Sequence, residues 1–139
     1  MRKAILMAVA TAVLMVQPVM ANYDYDEELW CLSGIIELEA GNCSRDIKEG
    51  VANVAANRVA DPDFPDTYHD VVLQPGQYST AAQINSVERS QESIDVAKET
   101  IENGSKFPPD IVFQANFPQG SYTYMTLSTS FSTMYFCGK

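Results

Sequence analysis

Cys31-Leu32-Ser33-Gly34-Ile35-Ile36-Glu37-Leu38-Glu39-Ala40-Gly41-Asn42-Cys43-Ser44, continuing through Arg45 to Arg58, is the stretch whose reading decides the fold. Two helical patterns meet in it at a break around Gly41-Asn42. Leu29, Leu32, Ile35 and Ile36 recur at the spacing of one buried helix face. Glu39 follows on the same face, while Glu37 points to the other side. A carboxylate at the end of an apolar stripe is costly unless it has a partner or a task. Desolvation and the negative end of the helix dipole both favour its neutral form there. A carboxylic acid that keeps its proton can serve as a general acid. The competing reading of Glu39 is structural, a buried ion pair with an arginine such as Arg58.

Past the break, Ser44 is a suitable N-cap, and Ile47, Val51, Val54, Ala55 and Val59 make the inner face of a second helix. Ala52, Ala55 and Ala56 are small enough for it to pack closely on the first. Asn22 to Glu28 reads as an exposed acidic lead-in. The Asp61-Pro62-Asp63-Phe64-Pro65-Asp66 run is a loop. Thr67 caps a short helix over 68–73, and a turn follows through Gln77-Tyr78-Ser79. Val87, Ile94, Ala97 and Ile101 form one face of a further helix, with Ser86 before it and Gly104 after it. Glu88, Arg89, Glu92, Lys98 and Glu102 are assigned to its solvated outer side. Residues 111–114, 122–127 and 132–136 are rich in aromatic and β-branched side chains and read as short strands. There are no internal repeats and no second domain.

The N-terminus, Met1-Arg2-Lys3 followed by an apolar run from Ala4 to Val16 and small residues at 19–21, predicts a secretory signal peptide over 1–21. The run falls short of the roughly 20 residues that span a bilayer, so cleavage is favoured over an anchor. The mature part is then one domain, 22–139, acting outside the cytoplasm in a periplasmic or extracellular space. Loss of Arg2 and Lys3 takes the formal net charge from −9 to −11. That acidity argues against nucleic acid as a partner and gives no electrostatic pull toward anionic wall polymers. Cys31, Cys43 and Cys137 all fall in the exported part, which permits one disulfide. A helix between Cys31 and Cys43 would hold them about 15–18 Å apart, so Cys137 is expected to pair with one of them.

The central stretch resembles the core of the SleB-like cell-wall hydrolases, the spore-cortex-lytic and phage-endolysin group. That group carries Glu-Ala-[Arg/Gly]-Gly-Glu at the end of one helix and Val-x-x-Asn-Arg-Val at the end of the next. Here Glu39-Ala40-Gly41 opens the pattern and Val54-Ala55-Ala56-Asn57-Arg58-Val59 closes it. Cys31, eight residues before Glu39, also matches. The second Gly-Glu is replaced by Asn42-Cys43. A second block agrees too: Phe64-Pro65-Asp66-Thr67, Val71-Val72-Leu73-Gln74 and Gln77-Tyr78-Ser79, with Tyr for Phe.

The resemblance implies a small lysozyme-like α+β domain, mainly helical with a short antiparallel sheet. It implies that Glu39 is the catalytic acid, that the substrate is the glycan of peptidoglycan, and that no cofactor or metal takes part. Gln77 and Tyr78 are placed by analogy along the sugar groove. Tyr122 is a further candidate for stacking on a sugar face, as is Tyr124, although strand aromatics are more often core. Asn57 and Arg58 are expected to tie the two helices and the neighbouring loop together. The reaction implied is lytic transglycosylation by a single carboxyl group. Separately, a monomer is expected. Other wall chemistries lack the residues: a zinc amidase draws on several His ligands, and His69 stands alone. The alternative from another class is a non-catalytic wall-binding or secreted interaction protein on the same fold.

Overall fold

The computed structural model describes residues 24–139, so the expected leader over 1–21 lies outside the described residues. The elements are α1 (Tyr25–Ala40), α2 (Arg45–Ala60), α3 (Tyr68–Leu73), a 3₁₀ turn (Ala81–Gln83), α4 (Gln91–Asn103), β1 (Ile111–Ala115), β2 (Tyr122–Ser128) and β3 (Thr133–Gly138). This is the α+β arrangement expected, helices first and a short sheet last. Among the described residues no helix is long and apolar enough to cross a membrane.

The apolar stripe of α1 buries as its spacing requires: Leu32, Ile35 and Ile36 are sealed, together with Ile47, Val51, Ala52 and Ala55 of α2, Val71 and Val72 of α3, and Val96 and Ala97 of α4. The sheet is antiparallel with β3 in the middle, in the order β1-β3-β2. A smaller apolar cluster of Val54, Ile111 and Phe136 joins it to α2. The approach is close: a Cβ on Gly50 would collide with the Phe136 ring. A helix-interior glycine is otherwise unfavourable by about 0.5–1 kcal/mol, and here it makes room for the aromatic side chain.

Several expectations are corrected. The lead-in is not exposed throughout: α1 starts at Tyr25, capped by the Asp24 carboxylate, and Glu28 is buried. Helix α4 starts four residues later than Ser86 suggests, with the Ser90 hydroxyl accepting from the Ser93 amide. Its sealed face runs through Ser93, Val96, Ala97 and Thr100. Val87 and Glu88 are outside the helix, and Arg89 reaches back to α1. The three cysteines are all free. Cys31 is enclosed in the α1 core, Cys43 sits in the turn after α1, and Cys137 lies in β3 against Thr123 and the Gln119 amide. Three separate surroundings replace the expected disulfide.

Asn57 and Arg58, expected to tie the two helices and the loop, bond to the segment that opens the sheet. The Asn57 amide donates to the carbonyls of Pro108 (2.7 Å) and Ile111 (2.9 Å). Nε of Arg58 donates to the Val112 carbonyl at 2.7 Å. The end of α2 thereby fixes the start of β1. The Arg58 guanidinium also packs over the rings of Tyr78 (5.0 Å) and Phe64 (5.6 Å).

Candidate active site

Glu39 stands one residue before the end of α1, half-buried. The helix stops because Ala40 is followed by Gly41-Asn42, whose turn feeds into α2. An open cleft of about 300 Å³ lies along this end, lined by Glu37, Leu38, Glu39, Ala40 and the Gly41-Asn42-Cys43 turn. Val87 and Glu88 supply the remaining wall. Glu39 makes no ion pair with Arg58. Its partner is a neutral hydroxyl: Oγ1 of Thr80 donates to Oε1 of Glu39 at 2.6 Å.

The neighbouring carboxylate has a different job. Oε2 of Glu37 accepts from the Ser93 hydroxyl (2.6 Å), the Ser90 hydroxyl (2.7 Å) and the Ser90 amide (3.1 Å). Burial pushes the Glu37 carboxyl up, but the Ser93 and Ser90 hydrogen bonds and the Lys48 charge outweigh it and hold it below the ordinary value. Glu37 thus joins the end of α1 to the start of α4 in the ionised form. One helix turn therefore brings two acidic residues to the same cleft in unlike surroundings, Glu37 held by the serines of α4 and Glu39 by a single hydroxyl.

Of the aromatic and amide candidates, Tyr78 is 7 % exposed and packs in the helical core. Burial raises its phenol, the Arg58 guanidinium opposes this, and the Glu39 carboxylate adds to it. Tyr78 thus lies within the electrostatic reach of Glu39 but beneath the surface. Gln77 is half-buried in the preceding turn, and its side chain is not among those lining the cleft. Tyr122 opens β2, half-exposed, with its hydroxyl donating to Asp110 at 2.8 Å, and it too is outside the cleft lining. Tyr124 lines a second groove of about 360 Å³ between α2 and β2, with Asp46, Glu49, Asn53 and Phe107.

Sequence reasoning misses Thr80, Val87 and Glu88 as parts of the site. Thr80 directly follows the matched Gln77-Tyr78-Ser79 block, so its position is the available signal. Glu88 is concealed by a local spacing that fits a solvated helix face.

The sequence profile of the family described as Cell Wall Hydrolase matches residues 44–133. The match runs from the cap of α2 to the first residue of β3 and does not include Glu39. No curated protein matches. Among solved structures, the catalytic domain of the Bacillus cereus SleB protein is similar, with a TM-score of 0.60 and 14 % identity over 84 % of this chain and 93 % of that one. At that identity the likeness is one of fold, and it takes in most of both chains. With the profile spanning well over half of the sequence on a helix-and-sheet frame of the same kind, the chain belongs to the cell wall hydrolase family.

Proposed function

We propose that this protein is an exported enzyme that cuts the glycan strands of peptidoglycan, with Glu39 as the acid that breaks the bond. The observation that carries the reading is the placement of Glu39: a carboxyl group at a helix end, on the wall of an open cleft, held by a hydroxyl and with no cationic partner among the described residues. Family membership supplies the wall as the class of substrate. The similar SleB structure is that of a catalytic domain, in keeping with an enzyme rather than a binder.

Glu39 protonates the oxygen linking N-acetylmuramic acid to N-acetylglucosamine as the C1–O bond breaks. The resulting carboxylate then takes the proton of the muramic acid C6 hydroxyl while its oxygen closes on C1. The product carries a 1,6-anhydro ring, Glu39 regains its proton, and no water is consumed. General acid catalysis of this kind contributes roughly 10²–10⁴-fold.

A second reading has its own observation. Glu88 lines the same cleft as Glu39, and a pair of carboxyl groups is what simple glycoside hydrolysis uses. Mass analysis of the fragments released from purified sacculi separates the two. Anhydro-muropeptides, still formed by Glu88→Gln, support transglycosylation. Reducing ends, lost in Glu88→Gln, support hydrolysis. Sedimentation with sacculi and no release of fragments would reject the enzyme altogether.

A further inference from the structure

Glu39 is held by a hydrogen bond from a segment 41 residues away in the chain, and that segment is unusually well anchored. Thr80 sits between two buried side chains, Tyr78 and Ile84. Tight turns fix the backbone around it, with the Ala81 amide on the Tyr78 carbonyl (3.2 Å) and the Gln83 amide on the Thr80 carbonyl (3.0 Å). The far end is clamped to α1 by Arg89. Its Nη2 donates to the carbonyls of Trp30 (3.0 Å) and Ile84 (3.1 Å), and its guanidinium carbon lies 4.5 Å from the centre of the Trp30 ring. Gly34 leaves the space: a Cβ there would lie 2.5 Å from Arg89 Nη2 and 2.7 Å from Ile84 Cδ1. The Thr80 hydroxyl is therefore placed by the fold, and its partner is the one side chain of α1 assigned to the chemistry.

We propose that Thr80 is the positioning residue for Glu39, tying down Oε1 so that Oε2 is the oxygen that carries the proton into the cleft. The proposal rests on the reading of Glu39 as the acid. A carboxyl group has two equivalent oxygens and a terminal torsion that turns easily. A donor fixed on one of them removes both freedoms. It also stabilises the carboxylate left when the proton has gone to the glycosidic oxygen, because hydrogen bonds to a charged acceptor are the stronger kind. The same contact holds the carboxylate in place while it takes the C6 hydroxyl proton.

The test uses Thr80→Val, which keeps the shape and removes the donor, Thr80→Ser, which restores it, and Glu39→Gln, all assayed on solubilised sacculus fragments. Thr80→Val is expected to lose roughly 10–100-fold in kcat with KM little changed. Thr80→Ser recovers most of the rate. Should Thr80→Val fail to fold, Thr80→Ala replaces it with the same expectation. A donor-free variant turning over at the wild-type rate, where Glu39→Gln is inactive, overturns the role of Thr80 and leaves Glu39 standing. Full activity in Glu39→Gln removes both.

Discussion

The carboxylate of Glu28, buried in α1, accepts the backbone amide of Tyr68 at 2.6 Å and that of His69 at 3.1 Å. These are the first two amides of α3, at the end where a helix has no carbonyl of its own to offer. A side chain of one helix thus caps another, adding to the Thr67 hydroxyl that accepts the Asp70 amide. A buried anion on a helix N-terminus is favourable for both its hydrogen bonds and its position in the dipole field.

Glu28→Ala removes that acceptor from both amides, the first of them at a buried residue. The expected loss is about 2–3 kcal/mol of unfolding free energy, read as a lower urea midpoint with an unchanged slope. Glu28→Gln keeps one acceptor oxygen and should lose less. The helix 68–73 should show the earliest amide exchange in the alanine variant.

The depressed carboxyl of Glu37 predicts an acid-sensitive junction between α1 and α4. Its folded value lies below the ordinary 4.5, so its contribution is present above that pH and is lost as pH falls through the folded value. Glu37→Gln should flatten the fall in melting temperature below about pH 4.5 while lowering stability near neutrality. A Glu37→Gln profile parallel to wild type at all pH values would show that the ionised form is not what the serines hold.

The cysteines should differ sharply toward a thiol reagent. Burial, helped by Glu28 and Glu27, pushes the Cys31 thiol up to about 12, and Cys31 and Cys137 are 0 % and 1 % exposed. Only Cys43 is partly open, and it lines the cleft. Native protein should therefore release one equivalent of chromophore quickly and the other two on unfolding. A bulky maleimide on Cys43 should block the release of wall fragments, and Cys43→Ser should be immune to it. Rapid titration of all three thiols would contradict the burial of the other two.

The helical hairpin was legible because its information is local. The spacing of Leu32, Ile35, Ile36 and Glu39 places the carboxyl on the buried face without knowledge of any partner. The short helix capped by Thr67 and the three strands could be read for the same reason. What could not be read depends on distant pairs. Glu28 looks like an exposed first-turn acid until α3 lies against it. Ser90, not Ser86, begins α4 because Glu37, 53 residues away, holds the Ser90 hydroxyl. Thr80 has no signal beyond its place after the Gln77-Tyr78-Ser79 block, and its meaning is the oxygen it meets. Tyr78 carries a groove-type aromatic in the matched block, yet its ring is taken by the core and by Arg58.

The most direct measurement is the rate at which folded Glu39→Gln releases soluble fragments from purified sacculi, compared with wild type and with Glu37→Gln. A carboxamide keeps the shape and the oxygen that Thr80 needs but has no proton to give. The account predicts a fall of at least roughly 100-fold in Glu39→Gln at an unchanged melting temperature, with Glu37→Gln retaining turnover. Wild-type release by Glu39→Gln would contradict it.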